Sequence, residues 1–393
     1  MPAAVWRLTI AYSLMMAGTS LMVLLAGIIG TTFAPTSDLA TLPIALVVVG
    51  VASSTLPTGK LLHRFGRRPV FLAYGFIAIA AALIAMQSLI SGSFSGFCMA
   101  AFLMGWSGAA GHQYRFAALE AVPAELAAKA TSFLLLGGVL AAFIGPELAV
   151  RGRGLLSTEY AGSYLLLSLS YTAGLILISF YRDQTVSHEG HQGAGRPMRK
   201  ILGSPVVIAA ICAAALGYGI MSLIMTATPI SMHTHAGHSL ESTKFVIQSH
   251  IAAMYLPALA YAWLFTRMGF RGMLWLGVLA YIVCLGVAAI NTEFLNYWLA
   301  LILLGIGWNF LFLAGTNLLP FGYLPHERFR VQSMNDFLVF SVQAVASLSS
   351  GWFLYHYQWQ GLIFACLPLV LAFSVLLIIM KNRLLERATP ALS

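Results

Sequence analysis

Apolar residues along this chain come in runs of about twenty, separated by short polar clusters, and within a run they do not alternate with polar ones. "LLLSLSYTAGLILISF" (165–180) is typical. About twenty residues at 1.5 Å each match the roughly 30 Å hydrocarbon core of a bilayer. A transmembrane strand would instead alternate polar and apolar positions. The pattern predicts an all-α membrane protein with twelve spans, near 8–30, 40–59, 69–90, 94–118, 130–150, 162–181, 204–230, 243–266, 271–290, 296–319, 332–354 and 360–380. An even number puts both termini on one side. The first run is long enough to stay in the membrane as a span, so no cleaved signal peptide is expected.

Composition supports this reading. Charged residues make up 8% of the chain and hydrophobic ones 60%, where soluble domains carry roughly 25% charged residues. Of 21 Lys and Arg, all but Arg151, Arg153 and Lys244 fall on one set of inter-span segments, which makes that side, and both termini, cytoplasmic. The net charge of +9 is then topological charge facing anionic lipid, and no nucleic-acid partner is expected. Cys98, Cys212, Cys284 and Cys366 are scattered without CxxC or zinc spacing and read as small buried hydrophobes. "HEGH" (188–191) and "HERF" (326–329) lack the second histidine of HExxH, and no GxxxxGK[ST] is present. Neither an enzyme nor an ATP-driven pump is indicated, and no resident cofactor is expected.

The chain repeats itself. Arg64-x-Gly66-x-Arg68 returns as Arg267-x-Gly269-x-Arg271, displaced by 203 residues; Gly105-Trp106 and Pro123-x-Glu125 return as Gly307-Trp308 and Pro325-x-Glu327, displaced by 202. Two matches at nearly one offset predict six spans repeated in parallel, as an N-terminal bundle (1–181), a cytoplasmic linker (182–203) and a C-terminal bundle (204–393). Such repeats imply alternating access around a site near the membrane midplane.

"GKLLHRFGRR" (59–68) resembles the signature loop between spans 2 and 3 of the major facilitator superfamily. Gly59, Arg64, Gly66, Arg67 and Arg68 fit its pattern, while His63 stands where the family has an acid. The resemblance implies the two-bundle transporter fold and a gating role for this loop on the inner side. His63 brings instead a group that titrates near neutrality.

One region concentrates chemistry. "GIMSLIMTATPISMHTHAGH" (219–238) and "SHIAAMYLP" (249–257) place Met221 and Met225 four apart on span 7, and His250 and Met254 four apart on span 8. Positions four apart share a helix face. At 1.5 Å per residue, Met225 and Met221 lie about 8 and 14 Å below the outer end of span 7, and His250 and Met254 about 11 and 17 Å below that of span 8. Thioethers favour Cu(I), and imidazole accepts copper in either oxidation state. Neutral donors also avoid the cost of a charge inside the membrane. Met232, His233, His235 and His238 in the outer loop form a candidate capture cluster. Either pair alone is within chance for a chain with 16 Met and 10 His, and a methionine stripe is often packing. Their arrival on consecutive spans at matched depth points to a metal.

MxxxM on span 7 with HxxxM on span 8 resembles the CcoA-type copper importers. The resemblance implies that Met221, Met225, His250 and Met254 bind copper as transported substrate, and that a monomer imports it across a bacterial inner membrane for cytochrome oxidase assembly. The N-terminal repeat has Gly18, Met22 and Val47 at the positions of Met221, Met225 and His250, so the site is expected in one half only. His112 and Arg115 on span 4 are candidates for coupling or gating. Glu147 is expected to pair with Arg151 one turn on, and Asn335 and Asp336 to mark the start of span 11. Two alternatives stay open: the same fold carrying an organic solute such as riboflavin or a drug, with Trp106, Tyr114, Trp308 and Phe310 lining its cavity, and a metal receptor that does not transport.

Overall fold

The computed structural model describes residues 3–114, 117–118, 122, 127–181, 196–324 and 327–380. Among them there is no strand; the elements are helices. They are α1 (Ala3–Phe33), α2 (Leu42–Phe65), α3 (Arg67–Ile90), α4 (Phe94–Gly111), α5 (Ala127–Gly152), α6 (Ala161–Ser179), a short α7 (Met198–Leu202), α8 (Pro205–Pro229), α9 (Leu240–Tyr255), α10 (Ala258–Ile290), α11 (Phe294–Leu318) and α12 (Arg328–Ile379). Among the described residues, nine segments are long and apolar enough to cross a membrane. One of them, Arg330–Ile379, is bent at Gln358, where φ is 57°, and supplies both span 11 and span 12. The α5 helix and the α9–α10 junction complete the set of twelve.

The internal repeat has a backbone signature. Gly66 sits at φ 79°, ψ 175° between α2 and α3, and Gly269 at φ 60°, ψ −175° within α10. Glycine adopts this region of backbone space with least strain. The two copies of the R-x-G-x-R motif therefore make the same turn at a glycine.

Span 8 is broken. The α9 helix stops at Tyr255 and α10 starts at Ala258. Pro257 lies between them and has no N–H to continue the hydrogen-bond ladder. Span 11 starts at Arg328 rather than near 332. Just before its first turn, the Glu327 carboxylate accepts from the Leu324 amide (2.9 Å) and from Arg196. Asn335 and Asp336 consequently lie two turns inside the helix, Asn335 Nδ2 donating to Asp336 Oδ1 at 3.1 Å, so the helix-start role expected of them is corrected.

The chain packs as two compact units, Met1–Ser187 with Thr226–Ile251, and His188–Met225 with Ala252–Ser393. In the first, α1 packs on α5 and α6, α2 on α4, and α3 on α4 and α6. In the second, α10 packs on α11 and α12. The repeat boundary of the sequence and this packing boundary are different quantities. The outer ends of spans 7 and 8 belong by sequence to the second repeat and by packing to the first unit.

Candidate functional site

Met221 and Met225 lie on α8, and His250 and Met254 on α9. Their exposures are 5%, 5%, 0% and 8%. A side chain turned to lipid would be exposed in the protein alone, so all four point inward. The three methionines belong to the second unit and His250 to the first.

Within the second unit, neighbouring helices hold the backbone on either side of the thioethers. Tyr281 Oη donates to the Gly217 carbonyl at 2.7 Å, and Ser350 Oγ to that of Leu223 at 2.7 Å, bracketing Met221. Asn309 Nδ2 on α11 donates to the Met254 carbonyl at 2.6 Å, at the break in span 8. Beside Asn309, the Trp308 ring meets Tyr218 edge-on at 5.2 Å and stacks on Phe312 at 5.0 Å, with Tyr255 at 6.3 Å. Trp308 Nε1 and Asn309 Oδ1 are buried with no hydrogen-bond partner.

The first half closes the corresponding positions. Tyr164 Oη donates to the Met22 sulfur at 3.3 Å. Gly18 faces the Tyr171 hydroxyl so closely that a Cβ would overlap it.

The loop residues are placed differently from one another. After Pro229 the chain makes a π-helical turn over Ile230–His235, in which Met232 is fully buried. His233 Nδ1 lies 2.8 Å from the His238 carbonyl, and His235 is exposed. Among the described residues, no three His, Cys, Asp or Glu side chains converge on a point where one metal ion could sit. A metal bound by these residues must draw on thioethers.

At the outer end of α5, Glu147 accepts from Arg151 at 3.1 Å, as the sequence predicts, and also from Lys244 at 2.8 Å. At the turn between α2 and α3, Arg68 Nη2 donates to the Ser179 carbonyl at 2.8 Å, and the Arg64 guanidinium lies 5.1 Å from the Phe65 ring centre. Gly59 lies within α2, and Arg67 opens α3. His112 caps the end of α4 and is exposed. Arg115 and the side chain of His63 lie outside the described residues. A further contact joins residues far apart in sequence. Arg196 donates through Nη2 (2.6 Å) and Nε (2.9 Å) to the two Glu327 oxygens, and its backbone amide adds a third bond at 2.8 Å. The Arg196 guanidinium, joined by the Leu324 and Arg196 amides, outweighs burial and pulls the Glu327 carboxyl down to about 2.

A family model for the Major Facilitator Superfamily matches residues 8–347. The chain belongs to that superfamily and is a transporter working by alternating access. It is 33% identical over 379 residues to the riboflavin transporter RfnT of Brucella anthropi, covering 95% of this chain and 94% of that protein. An uncharacterized MFS-type transporter of Bacillus subtilis, YdeG, is 29% identical over 85% of this chain and 82% of its own length. Among solved structures, it resembles a bacterial homologue of the lysosomal transporter Spinster (TM-score 0.72, 14% identity, 98% of both chains). A bacterial homologue of the iron transporter ferroportin matches with TM-score 0.66, 16% identity, 97% of this chain and 100% of the other. At these identities the structures share the fold.

Proposed function

We propose that the cargo is monovalent copper, imported by alternating access, with Met221, Met225, His250 and Met254 as its ligands. One observation carries this reading: four soft donors on two consecutive spans are all buried. Thioethers bind Cu(I) without asking the membrane interior to hold a carboxylate. The inward direction, the bacterial inner membrane and supply to cytochrome oxidase assembly are what the MxxxM and HxxxM resemblance to CcoA-type importers implies, and they belong to this proposal.

The relative named as a riboflavin transporter favours a second reading, a planar organic solute. At 33% identity two positions in three differ, so residues that touch cargo are free to have changed. Aromatic side chains suit that reading: Tyr114, Trp308 and Phe310 are buried. A cavity in the first unit is lined by Met15, Met16, Phe71, Tyr74, Ser107 and Tyr114 among others.

One experiment separates the two. Cells expressing wild type, Met221→Leu or His250→Leu are assayed side by side for copper and labelled riboflavin uptake, with protein levels matched. Loss of copper uptake in both variants supports copper. Riboflavin uptake that survives the substitutions, with no copper uptake by the wild type, supports the organic cargo.

A further inference from the structure

Met254 is the only one of the four donors placed at a discontinuity. It is the second-last residue of α9, and Pro257 stands between α9 and α10. A helix end normally frays, because its last carbonyls have no partner within the helix. A metal ligand on a fraying end would be poorly held. Here the Met254 carbonyl receives Asn309 Nδ2 at 2.6 Å, from a helix that is otherwise apolar at this level.

Asn309 is 2% exposed and its Oδ1 has no hydrogen-bond partner. Next to it, Trp308 is 4% exposed and its Nε1 also lacks one. Buried polar groups are normally satisfied, and an apolar residue at 309 would pack in the same space without leaving an acceptor unpaired. A carboxamide retained at this cost beside a candidate ligand has a function other than packing. The neighbouring rings complete the frame. Trp308 touches Tyr218, three residues before Met221, and Tyr255, one residue after Met254. Trp308 and Asn309 thus bridge the two strands of chain that carry the thioethers.

We propose that Asn309 is a positioning residue of the copper site: its carboxamide nitrogen fixes the broken end of span 8 and thereby sets the Met254 thioether, acting on the metal only through that ligand. The inference rests on the copper reading. Outer-shell partners that orient a metal ligand typically contribute 10–100-fold to affinity, and the same range is expected here.

The test uses the full-length protein in detergent, with Cu(I) itself as the probe and a chromogenic Cu(I) chelator as competitor. Asn309→Leu keeps the volume and removes the donor, while Asn309→Gln keeps an amide donor. Asn309→Leu should weaken Cu(I) binding 10–100-fold, and Asn309→Gln should recover part of the loss. X-ray absorption should show one sulfur fewer around copper in Asn309→Leu. The decisive comparison is the double variant. If Asn309 acts through Met254, then Asn309→Leu with Met254→Leu binds no more weakly than Met254→Leu alone, because contacting residues are not additive. Losses that add, or an Asn309→Leu protein with wild-type affinity and sulfur count, overturn the proposal and leave the copper reading standing. A wild-type protein that does not bind Cu(I) at all defeats the copper reading, and this inference with it. Thermal unfolding of each variant guards against misfolding. If Asn309→Leu does not fold, Asn309→Gln and Asn309→Ser face the same sulfur count and non-additivity criteria.

Discussion

Replacing Met221, Met225 and Met254 one at a time with leucine separates ligation from packing. Alanine would not, because these side chains are 5%, 5% and 8% exposed, and a large-to-alanine change at such a site costs about 2–5 kcal/mol through cavity formation. Leucine nearly conserves volume and usually costs less than about 1.5 kcal/mol, so the protein should remain folded and in the membrane. If the methionines only fill space, copper accumulation should be unchanged. If they are ligands, each substitution removes one of four donors. The loss should be at least about tenfold in affinity, the lower end of what even an outer-shell partner contributes, or about 1.4 kcal/mol. Copper content of cells grown at limiting copper, normalised to transporter level, reads the difference; Met22→Leu in the first half is the internal control. Wild-type copper content in all three leucine variants would refute the argument from soft donors.

Other consequences follow from particular contacts. Gly269→Ala puts a Cβ at φ 60°, ψ −175° and should destabilise the second unit by about 1–3 kcal/mol, seen as a lower thermal midpoint; Gly286→Ala, whose φ is not positive and where a Cβ meets nothing within 4 Å, serves as a comparison. Glu327 titrates near 2 when folded and near its ordinary 4.5 when unfolded. Its contribution to stability is therefore complete above about pH 4.5 and is lost as pH falls toward about 2. Glu327→Gln should unfold more easily at neutral pH and lack that acid-dependent loss, as midpoints across pH will show. Gly18→Ala forces a Cβ onto the Tyr171 hydroxyl. It should lower stability by about 1–3 kcal/mol, with partial recovery in Gly18→Ala combined with Tyr171→Phe.

What could be read from the chain depended on whether the signal was local. Span positions follow from hydropathy, and the repeat from two spaced motifs, so the sequence alone pairs Gly66 with Gly269, which share their backbone angles. The Glu147–Arg151 pair was legible because it lies four apart on one helix, but Lys244 was not, since it meets Glu147 only when spans 5 and 8 are adjacent. Arg196–Glu327 was hidden for the same reason, at a separation of 131 residues. Asn309 left a trace that went unused. It is the one amide in the apolar run "LILLGIGWNFLFLAG" (301–315), and its repeat mate is Ser107.

Similarity to a riboflavin transporter and the copper site proposed above are compatible if cargo in this fold is decided by few residues on a shared scaffold. The two halves show how few. At the positions of Met221 and Met225, the first repeat has Gly18 and Met22. There a tyrosine hydroxyl presses on the glycine and another donates to the thioether. Sulfur alone therefore does not make a metal site; it must be left unengaged by the protein and accompanied by further donors. The second repeat differs at that level by a second methionine, by a histidine and methionine on the next span, and by an amide that fixes the backbone where that span breaks. A cargo switch by this route requires only a handful of substitutions, each on a helix interior, with the loops and the inner-side R-x-G-x-R turns unchanged. Transplanting the donors should then be sufficient in principle. An organic-solute relative given MxxxM on span 7, HxxxM on span 8 and asparagine after the span-10 Gly-Trp should gain Cu(I) binding measurable by chelator competition. If it gains none while folding normally, the scaffold does more to select cargo than these donors do.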